Sequence, residues 1–385
     1  MSARSPRRDF ALLLLATVTC LSNYAALLSV VPLWAASAGS TATGVGATTT
    51  AMMAATAATQ LAMGPLLRRL SLRRMLTGGA LVMTLATPFY LLSAELVPVL
   101  VVSAVRGVGF ALLVVAGSAL VAEIVPAQRL ARGAAAYGLA AGLPQLVALP
   151  LGVWVAQRWS FTPVFVAATV LALVAVPLGA ALTAGGEKGS GGARPDPGGG
   201  GGGAAVTLRP LVAPALVFFT LTMGFGGIVT FLPLAVPDAA TAPAALFVAS
   251  LCMLVGRMAA GMAGDRLTAG RQLLPGALVG AAGMVGIALG TTAGGGAWVA
   301  VGAGLFGLGL GIVQNDSLVL ILGRAGPGRH GTASAVWNFA YDGGTGAGAV
   351  LLGAVVAGAD YPWAFAASAL VIAVVAPAGR IRRRT

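Results

Sequence analysis

Residues Ala184–Pro210 read AGGEKGSGGARPDPGGGGGGAAVTLRP and lie near the midpoint of a chain of 385 residues. This segment has neither an apolar run nor a periodic pattern, and its glycine-rich composition is typical of a flexible coil. A structureless stretch of this length suits a tether between two folded parts better than a loop inside one domain. We therefore predict two bundles, residues 1–183 and 211–385, joined by a flexible linker over residues 184–210.

The two flanking segments are too apolar for a water-soluble protein. The chain is 58% hydrophobic and 9% charged, with a mean hydropathy of +0.93, whereas soluble domains are about a quarter charged. Apolar runs of about 20 residues recur along it, and each is long enough to cross a bilayer as a helix. Cys20 and Cys252 both lie within such runs, which indicates no disulfide framework.

Twelve membrane-spanning helices are predicted from these runs. The second span is only weakly hydrophobic, so it requires shielding by its neighbours. The twelve spans are placed near residues 10–34, 43–66, 75–94, 97–121, 133–155, 161–182, 211–235, 243–263, 272–291, 297–322, 331–355 and 361–379.

The placement of basic residues predicts the orientation of the chain. Lys and Arg collect in alternate connections and at both ends, and such loops remain on the cytoplasmic side. We expect both termini and the linker to be cytoplasmic in a multi-pass protein of the plasma membrane. Arg is used almost to the exclusion of Lys, and Ala and Gly are abundant, which indicates a bacterial gene.

Short motifs recur between the two halves at nearly constant spacing. GPLLRR at 64–69 returns as GMAGDR at 261–266, an offset of 197, and GVGF at 107–110 returns as GLGL at 307–310, an offset of 200. Parallel repeats of six helices are one way in which transporters are built, with a substrate site near the membrane midplane.

Together these features resemble the major facilitator superfamily over the whole chain. The signature G-x-x-x-D-R-x-G-R-[RK] is matched better after the eighth span, by Gly261, Asp265, Arg266 and Arg271, than after the second, where Arg68 takes the position of the acid. The resemblance implies the twelve-helix, all-α fold of that family, with two pseudo-symmetric bundles of six helices. The eleventh span is similar to that of bacterial drug and metabolite exporters.

The resemblance also implies gating residues at the ends of helices. In the family these residues pair across the two halves and hold one transport state closed, whereas the simpler alternative is topology signals and helix caps. The predicted gating residues are Gly64, Arg69, Gly261, Asp265, Arg266 and Arg271.

Three charged residues inside predicted spans are the candidates for proton coupling: Arg106, Asp316 and Asp342. A charge at the centre of a bilayer is costly, so such residues are usually turned inward and functional. Asp342 falls near the middle of the eleventh span, where a carboxyl group could carry a proton. The family resemblance also allows Arg106 to bind an anionic substrate. The alternatives are a static polar network for the acids, and structural hydrogen bonds to helix carbonyls for Arg106.

Aromatic and polar residues within the spans are candidates for binding an organic substrate, although each alone is more often a packing residue. The eleventh span carries Ser334, Asn338, Tyr341, Asp342 and Thr345 on one helical face. The predicted binding residues are Asn23, Tyr24, Tyr137, Gln145, Phe225, Gln314, Asn315, Trp337, Asn338 and Tyr341.

The sequence has no catalytic motif, metal-ligand cluster or phosphate-binding loop. We therefore expect no enzyme activity and no cofactor, and transport driven by an ion gradient. The prediction is a monomeric secondary transporter that exports small organic compounds in exchange for protons by alternating access. Its partners would be the substrate, protons and the lipid bilayer, without nucleic acid. Importers or facilitators of the same fold are the first alternative, and a non-transporting receptor or scaffold is the second.

Overall fold

A computed structural model describes residues 6–185, 208–236, 238–264, 266–292, 295–326 and 329–379. Within these ranges the chain is helical and contains no β-strand. The helices are α1 (Pro6–Ser37), α2 (Ala42–Leu61), α3 (Met63–Arg69), α4 (Leu72–Ala86), α5 (Leu96–Ile124), α6 (Leu130–Arg158), α7 (Phe161–Ala180), α8 (Arg209–Ala235), α9 (Thr241–Gly264), α10 (Leu273–Thr292), α11 (Gly296–Ala325), α12 (His330–Gly358) and α13 (Tyr361–Val375).

Each predicted span corresponds to one helix or to two consecutive ones. Eleven helical segments of the described chain are long and apolar enough to cross a membrane. The second span is the exception, because α2 has the length, 20 residues, but is less apolar. Its helix breaks at Ala62, since Pro65 lacks an N–H group and its ring would clash with the carbonyl of Leu61.

The described residues divide into two compact units. Unit 1 contains residues 6–39 and 51–185, and unit 2 contains residues 40–50 and those from 208 onward. The division differs from the sequence-based one in α2, whose first part packs with the second unit. Most of the predicted linker, residues 186–207, lies outside the described residues.

Unit 1 is built around α1, which packs against α6 and α7, while α4 packs against α5 and α7. Its largest side chains form an aromatic contact near one end of the bundle. Phe165 of α7 stacks on Tyr90 at 5.3 Å between ring centroids, and its edge meets Trp34 of α1 at 5.8 Å. The indole nitrogen of Trp34 donates to the carbonyl of Tyr90 at 2.9 Å.

The shielding that the weakly hydrophobic second span requires is visible in its hydroxyl groups. In unit 2, Thr49 hydrogen-bonds to Thr230 of α8 at 3.2 Å, and Thr50 donates to the carbonyl of Gly346 of α12 at 2.7 Å. In unit 1, Thr56 donates to the carbonyl of Gly107 of α5 at 3.1 Å. The polar side chains of α2 are thus satisfied inside the protein, as an apolar solvent demands.

The connection before α9 is fixed by an exposed carboxylate. Asp238 accepts the backbone N–H groups of Ala240 at 3.0 Å and Thr241 at 2.7 Å. The Thr241 side chain and these backbone donors hold the pKa of the Asp238 carboxyl below its ordinary value. This arrangement satisfies N–H groups that the start of α9 leaves without a helical partner.

Close helix contacts in unit 2 depend on glycine. Gly307 and Gly311 of α11 lie directly against carbonyls of α9, and Gly344 and Gly348 of α12 lie against carbonyls of α8, with no room for a Cβ atom. Such contacts let membrane helices gain packing energy where no hydrophobic effect drives their association. In α6, Gly138 and Gly142 have the same spacing but face open space.

The contrast between these glycines predicts different effects of one added methyl group. Gly348→Ala should lower the thermal unfolding temperature of the purified protein, because overpacking costs about 1–3 kcal/mol. Gly138→Ala should leave it unchanged or raise it, since alanine favours the helix by about 1 kcal/mol. Equal unfolding temperatures for the two variants would contradict the packing described for α8 and α12.

Candidate functional site

A buried arginine organises the polar interior of unit 1. Arg106 of α5 is 1% exposed, and its guanidinium donates to the side-chain oxygen of Asn23 at 2.9 Å and to the hydroxyl of Tyr90 at 3.3 Å. The same guanidinium lies 5.5 Å from the centre of the Tyr90 ring. Its Nε has no hydrogen-bond partner among the described residues. The charge is therefore held by neutral acceptors and an aromatic face.

Asn23 extends this cluster to the other helices of the unit. Its side-chain nitrogen donates to the Thr87 hydroxyl at 3.0 Å and to the carbonyl of Ala168 in α7 at 2.9 Å. The Tyr90 hydroxyl also hydrogen-bonds to Ser103 at 2.8 Å. The cluster thus ties α1, α5, α7 and the turn after α4 together. Asn23 is fully buried, and its amide is occupied by these internal bonds.

The other predicted residues of unit 1 are spread over different environments. Tyr24 stacks on Phe110 of α5 at 4.3 Å between ring centroids. The hydroxyl of Tyr137 lies against Gly117 and hydrogen-bonds to Thr17. Gln145 is partly buried, and its side-chain nitrogen has no partner in the part of the chain that the structure describes.

An aromatic wall runs along α8 and α12 in unit 2. Phe218 and Trp337 stack at 5.0 Å with 21° between their planes, and Trp337 and Tyr341 follow at 6.3 Å with 17°. Phe225 approaches Tyr341 at 6.4 Å. The indole nitrogen of Trp337 donates to the Ser317 hydroxyl of α11 at 3.2 Å. Three predicted binding residues, Phe225, Trp337 and Tyr341, are therefore brought together.

A membrane-embedded cation in α9 escaped the sequence analysis. Arg257 lies in this helix, is partly buried, and is the only charged residue among its 24 residues. A search for single charges inside predicted spans would have found it.

Asp316 of α11 holds a loop. Its two carboxylate oxygens accept the backbone N–H groups of Gly270 at 2.8 Å and Gln272 at 2.9 Å, both in the connection between α9 and α10. The side chain is 3% exposed. A carboxylate whose oxygens are both engaged by backbone donors is suited to fixing this loop.

The polar face predicted for α12 does not have one environment. Asp342 is 5% exposed and Thr345 is fully buried, with its hydroxyl donating to the carbonyl of Tyr341 at 2.8 Å. Asn338 is partly buried and Ser334 is exposed. The polar face of α12 is therefore exposed near the start of the helix and buried near its middle.

Two further predicted binding residues precede Asp316 on α11. Gln314 is 7% exposed, and its side-chain oxygen has no partner among the described residues. Asn315 is partly buried.

The predicted gating residues lie at exposed helix ends. Arg69, Arg266 and Arg271 are exposed, and Gly64 and Gly261 have open space where a side chain would begin. The remaining gating residue, Asp265, lies outside the described residues.

A second carboxylate-held segment follows α7 and was also missed by the sequence analysis. One oxygen of Asp9 accepts the N–H of Ala184 at 2.9 Å and both donors of Thr183. Glu123 accepts the N–H of Gly185 at 2.6 Å, and the N–H of Arg73 donates to the Gly185 carbonyl at 3.1 Å. These contacts fix the direction in which the chain leaves the bundle.

Comparison with known proteins places this arrangement in a family. The sequence model described as Major Facilitator Superfamily matches residues 12–349. The chain belongs to the major facilitator superfamily. It is a multi-pass membrane protein of a transporter family, and no curated protein sequence matches it.

Solved structures with the major facilitator fold cover nearly the whole chain. The peptide transporter POT is 14% identical over 97% of each chain, with a TM-score of 0.77. A bacterial homologue of the human lysosomal transporter Spinster is 12% identical over 98% of this chain and 97% of its own, with a TM-score of 0.74. The nucleoside transporter NupG is 13% identical over 96% and 98%, with a TM-score of 0.70. At these identities the likeness shows the fold.

The contacts of Asp316 predict a change in the loop between α9 and α10. Asp316→Asn replaces one acceptor by a donor, so one backbone N–H loses its partner and the loop should open more often. Trypsin should then cleave after Arg266 or Arg271 several times faster in purified protein. Asp238→Asn is the control, and an unchanged cleavage rate in Asp316→Asn would contradict the loop-holding role.

Proposed function

We propose that this protein is a secondary active transporter that exports small organic compounds in exchange for protons by alternating access. The observation that carries the proposal is the buried carboxyl group of Asp342, which is 5% exposed in the middle of the membrane-spanning helix α12. An ionisable group at that depth is rarely retained without a functional role.

Of the two intramembrane acids, Asp342 suits the role of proton carrier better than Asp316. Asp316 is committed to the loop between α9 and α10 through both of its oxygens. Asp342 directly follows Tyr341 of the aromatic wall, so a change in its protonation is placed where it can affect substrate binding. Proton and substrate would then be coupled through adjacent residues of one helix.

Aromatic and polar residues of α8, α11 and α12 suit an organic solute. Phe225, Trp337 and Tyr341 supply apolar ring surface, and Gln314 and Asn338 supply polar groups from α11 and α12. Small-molecule sites combine such apolar walls with a few polar groups. The similar folds of peptide and nucleoside transporters are consistent with a small solute.

The proposal also includes the membrane orientation of the chain and a gate at its cytoplasmic entrance. Both termini and the linker would be cytoplasmic, following the distribution of Lys and Arg. The arginines at the exposed helix ends, Arg69, Arg266 and Arg271, would close the cytoplasmic entrance in one state, together with Asp265. Gly64 and Gly261 would permit close approach of helices in that state, since both have open space beside them.

Proton flux tests the assignment of Asp342. Energised inside-out vesicles containing the protein would be challenged with cationic, neutral and anionic compounds while a dye reports internal pH. A substrate should release protons in wild type, and Asp342→Asn should reduce that release at least about tenfold, because the amide cannot carry a proton. Substrate counterflow, which needs no net proton movement, should persist in Asp342→Asn.

Asp238→Asn controls for removing one acidic residue, because Asp238 is exposed and outside the membrane-spanning helices. Proton release that persists in Asp342→Asn would overturn this assignment. Substrate that crosses wild-type membranes without moving protons would overturn the coupling itself and leave a facilitator.

A further inference from the structure

Residues 183–185, shortly after α7, are held by carboxylates from two other helices of unit 1. Asp9, in the first turn of α1, accepts the backbone N–H groups of Thr183 at 3.0 Å and Ala184 at 2.9 Å, together with the Thr183 hydroxyl. Glu123, near the end of α5, accepts the N–H of Gly185 at 2.6 Å. We call residues 183–185 the strap, and each of its backbone N–H groups is bound by an acidic side chain.

The strap also supports the start of α4. The backbone N–H of Arg73 donates to the carbonyl of Gly185 at 3.1 Å, and the Arg73 guanidinium donates to the carbonyl of Leu182 at 3.1 Å. Arg73 is the second residue of α4, and the first N–H groups of a helix have no partner within it. The strap therefore supplies an acceptor that the helix itself lacks.

Gly185 fits a position that other residues would not. Its φ is +68°, in the left-handed region that favours glycine. A Cβ atom there would lie 2.6 Å from the Cδ2 of Leu120 in α5 and 3.0 Å from the backbone nitrogen of Arg73. Gly185 thus lies closely against α4 and α5, with its N–H group used for one helix and its carbonyl for the other.

Unit 2 holds its corresponding connection with a single carboxylate. The connection before α10 follows the motif GMAGDR, as the connection before α4 follows GPLLRR, and α11 carries GLGL, the repeat of GVGF in α5. In unit 2, Asp316 of α11 accepts the N–H groups of Gly270 and Gln272 directly. In unit 1, Glu123 of α5 reaches the start of α4 only through Gly185. The strap therefore takes the place of a direct contact.

Each carboxylate has one oxygen that the docked strap leaves unpaired. Asp9 Oδ1 and Glu123 Oε2 are buried and have no hydrogen-bond partner among the described residues. A buried polar atom without a partner costs free energy, which is recovered when water reaches it. Thr183 is exposed, so water has access to the edge of the strap. Hydrogen bonds hold the strap in place while the unpaired oxygens favour its release.

We propose that the strap docks and undocks as a unit, and that only the docked strap fixes the start of α4. Undocking removes the partners of the Arg73 N–H and of the Arg73 guanidinium together, so the connection before α4 is freed in the same step. This inference concerns the conformational control of unit 1 and does not depend on the proposed transport.

Hydrogen–deuterium exchange of the intact protein in lipid nanodiscs tests this, with mass spectrometry that resolves single amides. Glu123→Ala removes the acceptor of Gly185 and should accelerate exchange at Ala184, Gly185 and Arg73 by at least about fivefold, because exchange follows the opening that breaks these hydrogen bonds. The effect at Arg73 is the decisive one, since the described hydrogen bond of Glu123 goes to Gly185 and not to Arg73.

Two further variants separate the strap from a general loosening of the helix. Gly185→Ala leaves both acids in place but cannot fit the docked position, so it should accelerate the same three amides. Glu95→Ala removes an exposed acid at the opposite end of α5, where it makes no side-chain cap, and should change none of them. Wild-type exchange rates in α10 would verify that every variant is folded.

Each outcome supports the strap or overturns it. Unchanged exchange at Ala184 and Gly185 in both strap variants would show that these amides are not held as described. Faster exchange at these two amides with an unchanged rate at Arg73 would overturn the coupling to α4. Acceleration of all three amides in Glu95→Ala as well would show a general effect on α5 and would also overturn it. The experiment needs no substrate, so vesicles without proton flux would leave its result unaffected.

Discussion

Polar groups inside this protein must find their partners within it, because the lipid around the helices offers none. The cluster around Arg106 shows how strictly the chain meets this constraint. One guanidinium is held by Asn23 and Tyr90, and Asn23 in turn reaches Thr87 and the backbone of α7. The buried guanidinium of Arg106 and its partners thereby join several helices of unit 1.

The two membrane-embedded arginines meet this constraint in different environments. Arg106 is buried and its contacts are internal, which favours the structural alternative over proton coupling. Arg257 lies in α9 of unit 2 and is only partly buried. Two acidic residues within the helices, Asp9 and Asp316, accept backbone N–H groups and thereby hold chain segments in place.

Much of the fold could be predicted from the sequence because membrane spans have a strong and simple signal. Length and apolarity located the eleven apolar spans of the described chain, and the weak hydrophobicity of the second span indicated that it needed shielding by its neighbours. The break at Ala62 is caused by Pro65 and is therefore also determined by the sequence. It depends on a backbone clash, however, which composition alone does not reveal.

The candidate site was less predictable, because the sequence gives the depth of a residue in the membrane but not its partners. Asp316 appeared equivalent to Asp342 until its two backbone donors were visible. Arg257 lies in an otherwise uncharged helix and was missed. Spacing alone also could not distinguish the glycines of α12, which touch α8, from Gly138, which touches nothing.

The central claim is that the internal hydrogen bonds of Arg106 stabilise unit 1, and thermal unfolding without ligand tests this most directly. Asn23→Ala removes the closest acceptor of Arg106 and should lower the unfolding temperature by about 2 °C or more. Arg158→Gln removes an exposed charge at the end of α6 and should leave the unfolding temperature unchanged. An Asn23→Ala variant that unfolds at the wild-type temperature would contradict the account.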